Sequence, residues 1–162
     1  DRRFQFLIYG DGVKKAECVS EASKEGLMNL TFKGMVDKKD VPEILADADI
    51  LIASVLKSDA YEFGMNLNKL YDYFAAGRPV IFSGSAPNDD VKEANAGYSI
   101  DPESPSAMRD ALKEFLDLSV RERKLMAANA REFAQQEYDI DVLALRFEKM
   151  LLRAIESKGT KQ

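Results

Sequence analysis

Histidine is absent from this 162-residue chain, and cysteine occurs once. The first absence removes His-based triads, His general bases and His metal ligands together. Chemistry here must rest on carboxylates, lysine, arginine, hydroxyls, backbone dipoles or a substrate's own groups. A lone Cys18 excludes an internal disulfide and points to a reducing, cytosolic compartment. It lies in a helical pattern and reads as a small packing residue. Excess positive charge is missing too: a net charge of −5 argues against a general nucleic-acid binder, which needs a basic face. A small basic pocket for one nucleotide is still allowed. No apolar run approaches the ~20 residues of a membrane span. The longest, residues 50–55, has strand length. The chain opens directly into a strand-like segment, with no signal-peptide pattern. Internal repeats, low-complexity runs and linkers are lacking as well. The remaining composition, 46% hydrophobic and 31% charged, is that of a soluble globular protein. One domain over residues 1–162 is the expectation, large enough to fold without disulfides or metal.

What is present alternates between two periods. Residues 4–9 form a β-rich apolar run that stops at Gly10-Asp11-Gly12. A helix over residues 14–25 should follow, with Ala16, Val19, Ala22 and Ser23 inward and Gly26 as its cap. Residues 30–33 read as a second strand, ended by Gly34. Asp40 caps a short helix over residues 41–47, with Pro42 in its first turn. Residues 50–55 are apolar throughout, as a strand covered on both faces should be. The long loop 56–66 carries Lys57, Asp59, Tyr61 and Glu62, and a loop of this length tends to be functional. Later segments read as a strand at 80–82, a short helix at 89–95 and a strand at 98–100. Helices over 106–118, 121–137 and 140–157 follow, with a polar tail at 158–162. Strict alternation predicts the α/β class, with a Rossmann-like parallel sheet of about five strands, helices on both faces and a helical C-terminal end. Ligands of such folds lie outside the carboxyl ends of the strands. Loops 10–13, 56–68 and 83–88 fall there.

The stretch 64–84 organises the rest. A glycine and two asparagines suit a loop and a helix N-cap. The helix should span residues 67–76, with Leu67, Leu70, Tyr71 and Phe74 on its core face. Gly77 stops it and Pro79 prevents its resumption. The first N–H groups of such a helix have no intrahelical partner, and the dipole is positive there. Lys69 adds a full charge near the first turn. This arrangement can hold a phosphate or pyrophosphate. Asp72, one turn on, can accept hydrogen bonds from sugar hydroxyls. The plainer alternative is that Lys69 is a solvated helix charge and Asp72 a surface carboxylate, since most helices that follow loops bind nothing. Gly10 and Gly12 stand equally open, as a tight turn or as a backbone approach to a ligand.

The run Gly64-Met-Asn-Leu-Asn-Lys-Leu-Tyr-Asp-Tyr-Phe-Ala-Ala-Gly-Arg-Pro-Val-Ile resembles a signature of retaining glycosyltransferases of family 4. That signature reads Gly-x-x-Pro-Asn-Lys-Leu-Phe-(Asp/Glu)-Tyr-Met-Ala-Ala-Gly-Lys-Pro-Val-Ile. The branch it is most similar to transfers fucosamine and related N-acetylaminosugars in surface-polysaccharide synthesis. Other pieces agree in order: Tyr9-Gly-Asp-Gly, Phe32-Lys-Gly, Ala46-Asp-Ala-Asp, Ser83-Gly-Ser-Ala-Pro-Asn-Asp-Asp-Val, Asn95-Ala-Gly-Tyr and Asn129-Ala-Arg-Glu-Phe-Ala. The resemblance implies a GT-B enzyme of two Rossmann-like domains, of which this chain is similar to the carboxy-terminal, donor-binding one. It places the amides of Asn68, Lys69 and Leu70 on the diphosphate and Gly64 beside them. Asp72 takes the ribose hydroxyls, Gly10 and Gly12 line the donor cleft, and Gly34, Met35 and Val36 flank the base. The implied donor is a UDP-linked N-acetylaminosugar and the acceptor a polysaccharide or lipid-linked saccharide. No cofactor or metal is expected.

Departures from the signature are informative. Gly64 stands where the family's Glu-x7-Glu motif has its first acid. Glu62 is nearby but out of register, so no catalytic residue is assigned. Leu67 replaces the proline before Asn68. The chain begins after the family's first strand, normally central in the sheet, and after its Arg-x4-Lys loop. The resemblance thus implies a piece of a longer enzyme, inactive in transfer by itself. Acceptor binding and any peripheral association with the inner membrane face would belong to parts outside it. Two other readings stay open. A noncatalytic nucleotide-binding or regulatory module would share the sheet without the Asn68, Lys69 and Asp72 constellation. A GT-B-fold sugar-nucleotide epimerase relies on histidine, which this chain lacks.

Overall fold

A computed structural model of the chain describes residues 3–159. They fall into two compact units, residues 1–43 and 44–162, with the division inside a short helix. The first unit is a βαβ turn of chain: β1 (Phe6–Tyr9), α1 (Lys15–Lys24) and β2 (Leu30–Gly34). A 3-10 turn, Lys38–Asp40, leads into α2 (Val41–Ala46), where the division falls. β1 and β2 are parallel, with Phe6 opposite Leu30 and a one-residue slip after Ile8 that sets Tyr9 against Gly34. The unit has little interior. α1 buries no residue: Ala16, Val19 and Ser23 are exposed and Ala22 is half-buried, contrary to the inward face its spacing predicts. Cys18 is exposed and is not a packing residue. Helical spacing marks which residues share a face, but a two-stranded sheet offers that face too little surface to cover it.

The second unit holds β3 (Leu51–Ser54), α3 (Asn68–Ala75), β4 (Val80–Ser83), α4 (Asp90–Glu93) and β5 (Gly97–Ile100). Then come α5 (Pro105–Asp117), α6 (Val120–Phe133), a π-helical turn Ala134–Tyr138 and α7 (Ile140–Gly159). The end of the expected tail, residues 160–162, lies outside the described residues. The strands run parallel in the order β3-β4-β5. The class is α/β with parallel strands and helices, as expected, and the described residues hold five strands. They pair as two sheets, β1-β2 and β3-β4-β5, where a single sheet was expected. β4 is central and buried along its whole length. Within the second unit, among the described residues, β3 pairs with β4 alone; Leu51 and Ala53 are buried while Ile52 is half-buried and Ser54 exposed. Its apolar sequence predicts two covered faces; an edge position covers it less.

α3 docks on this sheet through Leu70 and Phe74, which join Ala53, Val80, Phe82, Val91, Ala96, Ala130 and Ala134 in one core. Alternation turns Ile81 to the other face, where it too is fully buried. α5 packs on β4 and β5 and buries Ala111, Leu112 and Phe115. Phe74 also meets Phe133 and Tyr138 ring to ring, at centroid distances of 5.5 and 5.9 Å. These contacts fix the depth and roll of α3, and so the direction of its front end. Gly97 lets β5 come close enough to pair: a Cβ there would fall 1.8 Å from the carbonyl oxygen of Val80.

Candidate functional site

α3 begins with Asn68, and its N-cap is Leu67, in extended conformation, with no side-chain cap. The asparagines expected to cap it do other work. Asn66 accepts a 2.5 Å hydrogen bond from the Tyr71 hydroxyl. The N–H groups of Asn68 and Lys69 stand in the first turn, without intrahelical acceptors by position. The Leu70 N–H donates to the Leu67 carbonyl at 2.9 Å. Of the three amides expected for an anion, two thus lack an intrahelical acceptor by position and the third is engaged within the turn. Lys69 and Asp72 are exposed and three residues apart, hence on one side of the helix, away from Leu70 and Phe74. Among the described residues neither forms a salt bridge. The charge of Asp72 reaches Tyr73, whose phenol is pushed up first by burial and then by that carboxylate.

Two routes hold the loop in front of α3. Asn88, in the loop after β4, accepts from the Met65 N–H at 2.7 Å and donates its own amide to the Met65 carbonyl at 2.6 Å. The second route starts at Asp90 on α4, which accepts from the Tyr138 hydroxyl at 2.5 Å. Tyr138 lies edge-on to Tyr71, centroids 4.4 Å apart, and Tyr71 reaches Asn66. Burial, then the bond to Asp90, pushes the Tyr138 phenol far above its ordinary value. Asn88, Asp90 and Tyr138 were not among the residues expected at the site. Asn88 and Asp90 lie in the 83–91 piece of the resemblance, but each tie spans more than twenty residues and has no local sequence signal.

The remaining expected residues gather in the first unit. The Gly10 N–H donates to the Gly34 carbonyl at 2.7 Å, and the Gly12 carbonyl accepts from Lys15 N–H at 2.9 Å. Gly10, Gly12 and Gly34, with Met35 and Val36, thus share the carboxyl ends of β1 and β2. Met35 is exposed there and Val36 half-buried. Lys15 pairs with Asp11 at 3.5 Å. In the second unit Gly64, Asn68, Lys69, Leu70 and Asp72 lie at the front of α3. Glu62 is exposed just after the 3-10 turn Asp59–Tyr61 and is not part of this set. An open groove of about 400 Å³ on the second unit is lined by Gly84, Ser85 and Ala86 of the expected ligand loop 83–88, with Asp89, Lys92, Ser99 and Asp101, and by none of the individually expected site residues. Among the described residues no cluster of acidic side chains and cysteine is arranged to hold a metal ion, and no helix is long and apolar enough to cross a membrane.

The family described as glycosyl transferases group 1 matches residues 1–117. The chain belongs to this family. No curated protein matches it. Among solved structures, the group 1 glycosyltransferase chain is similar to Anabaena HepE in complex with UDP. The TM-score is 0.74 and the identity 15%, over 94% of this chain and 42% of HepE. HepE has also been solved with UDP-glucose. WaaG, a glycosyltransferase involved in lipopolysaccharide biosynthesis, gives a TM-score of 0.65 at 24% identity, over 82% of this chain and 34% of WaaG. The C-terminal domain of the group 1 protein LpcC from Francisella tularensis gives 0.62 at 22% identity, over 78% of this chain and 63% of that domain. These likenesses establish the fold, α/β with parallel strands and flanking helices, matching the Rossmann-like C-terminal domain of GT-B proteins. The chain spans less than half the length of HepE.

Proposed function

We propose that this chain is the donor-binding part of a retaining family 4 glycosyltransferase. It would take a UDP-linked N-acetylaminosugar and deliver the sugar to a polysaccharide or lipid-linked acceptor, at the cytoplasmic side. The observation that carries this reading is the front of α3. Two first-turn amides without intrahelical acceptors precede a lysine and an aspartate on one exposed helical side, in a chain of the group 1 family. UDP and UDP-glucose complexes of HepE support the nucleotide-sugar class. In this reading the amides of Asn68 and Lys69 and the Lys69 ammonium meet the diphosphate, and Asp72 accepts hydrogen bonds from the ribose. This reading also assigns Gly10, Gly12 and Gly34 of the first unit to donor lining, and Met35 and Val36 to flanking the base. Charge builds on the diphosphate as the sugar–phosphate bond breaks. The helix dipole and Lys69 stabilise that charge most at the transition state, which is the kind of interaction that raises rate. No acceptor-binding role is assigned to these residues, and transfer also needs an acceptor held against the donor.

The test is transfer by the full-length protein from UDP-sugars to a saccharide or lipid-linked acceptor, with the anomeric configuration of the product read by NMR. Transfer with retention is expected. Inversion, epimerisation of the donor or no turnover with any UDP-sugar would overturn the proposal.

A further inference from the structure

We propose that Asn88 is a positioning residue for the diphosphate site, acting through the loop 64–67. The inference rests on the reading that the front of α3 binds the diphosphate. α3 lacks a side-chain N-cap, so no capping side chain sets the angle at which the chain enters it. Asn88 supplies that constraint from 23 residues away. Its primary amide matches the Met65 backbone donor to acceptor and acceptor to donor, at 2.7 and 2.6 Å, as a neighbouring strand would. An aspartate at this position would keep the acceptor and lose the donor; an aliphatic side chain would lose both.

Asn88 is itself anchored. The next residue, Asp89, caps α4 by accepting from Lys92 N–H at 3.0 Å and also takes the Ser99 hydroxyl at 2.8 Å. Val91, just beyond, is fully buried. The clamp therefore transmits the position of the packed sheet to the loop. The loop is shaped to receive it: Gly64 has φ of +118°, and a Cβ there would lie 3.1 Å from the Asn88 Oδ1. Met65 is held by Asn88 and Asn66 by the Tyr71–Tyr138–Asp90 route. Both routes start within residues 88–90. With Met65 released, the loop can rotate, and the N–H groups of Asn68 and Lys69 lose their common aim. Asp72, deeper in a helix fixed by Leu70 and Phe74, keeps its place.

The experiment compares unmodified full-length protein with Asn88→Leu, close in size but without hydrogen-bonding groups, and with Asn88→Ala. UDP and uridine affinities, donor KM, acceptor KM and kcat are measured, along with amide exchange at Met65 and Phe74. Both variants should raise the UDP Kd and the donor KM roughly tenfold, the loss of about one charge-assisted contact. Uridine affinity and acceptor KM should stay within about twofold. Met65 exchange should accelerate while Phe74, in the core, stays protected. UDP affinity unchanged alongside faster Met65 exchange would remove Asn88 from the site and leave the donor reading standing. Equal losses of UDP and uridine, or loss of Phe74 protection, would show general loosening and contradict a positioning role. Failure of the unmodified protein to bind UDP would remove the donor reading, and this inference with it.

Discussion

Tyr138 joins the core to the candidate site, and its chemistry predicts how the fold responds to alkali. Burial raises its phenol pKa, and the hydrogen bond to Asp90 raises it further. Tyr73 and Tyr98 are shifted the same way, again chiefly by burial. A raised phenol pKa means the folded state keeps its proton where the unfolded state loses it. The contribution is intact below the ordinary tyrosine value of 10.0 and is lost as pH rises beyond it. Denaturant midpoints should therefore fall steadily above that pH, and Tyr138→Phe should flatten the fall. A Tyr138→Phe profile superimposable on the unmodified one would show that this phenol is not the group responsible. At this scale the sequence is legible only in part. The solvent exposure of Lys69 and Asp72 follows from their spacing against Leu70 and Phe74. The partners of Asn88 and Asp90 do not, because a hydrogen bond to a residue two or more elements away leaves no periodicity behind.

Elements were legible where punctuation is local. Gly77 ends α3 by donating its N–H to the Phe74 carbonyl at 2.9 Å, and Pro79 stands before β4, as their chemistry requires. α6 shows a local signal that was overlooked. The stretch Ser119-Val-Arg-Glu is a capping box: the Ser119 hydroxyl accepts from Glu122 N–H at 3.3 Å, and the Glu122 carboxylate accepts from Ser119 N–H at 2.7 Å. It starts the helix at Val120, one residue before the expected start at Arg121. Ser119→Ala should cost about 1 kcal/mol in denaturant unfolding without altering any ligand affinity. A cost near zero would mean that tertiary packing alone sets this helix start. Strand pairing was not legible. Parallel strands carry the same apolar signature whichever neighbour they take, so the sequence predicts five strands without predicting their division into pairs and triplets.

For the whole molecule, an acidic chain of net charge −5 presents a helix front with a lysine and first-turn amides that lack intrahelical acceptors. A local positive feature on a negative surface suits one anionic ligand better than a polyanion. The family and the likeness to HepE and WaaG agree with that reading at the level of class and fold. The central claim is that α3 divides the nucleotide between two side chains, diphosphate to Lys69 and ribose to Asp72. Titration calorimetry of UDP and uridine against the unmodified protein, Lys69→Ala and Asp72→Ala tests it directly. Lys69→Ala should weaken UDP by roughly ten- to a hundredfold and leave uridine nearly unchanged. Asp72→Ala should weaken both ligands alike. Equal losses of UDP and uridine in Lys69→Ala, or UDP affinity untouched by it, would contradict the account and move the diphosphate away from α3.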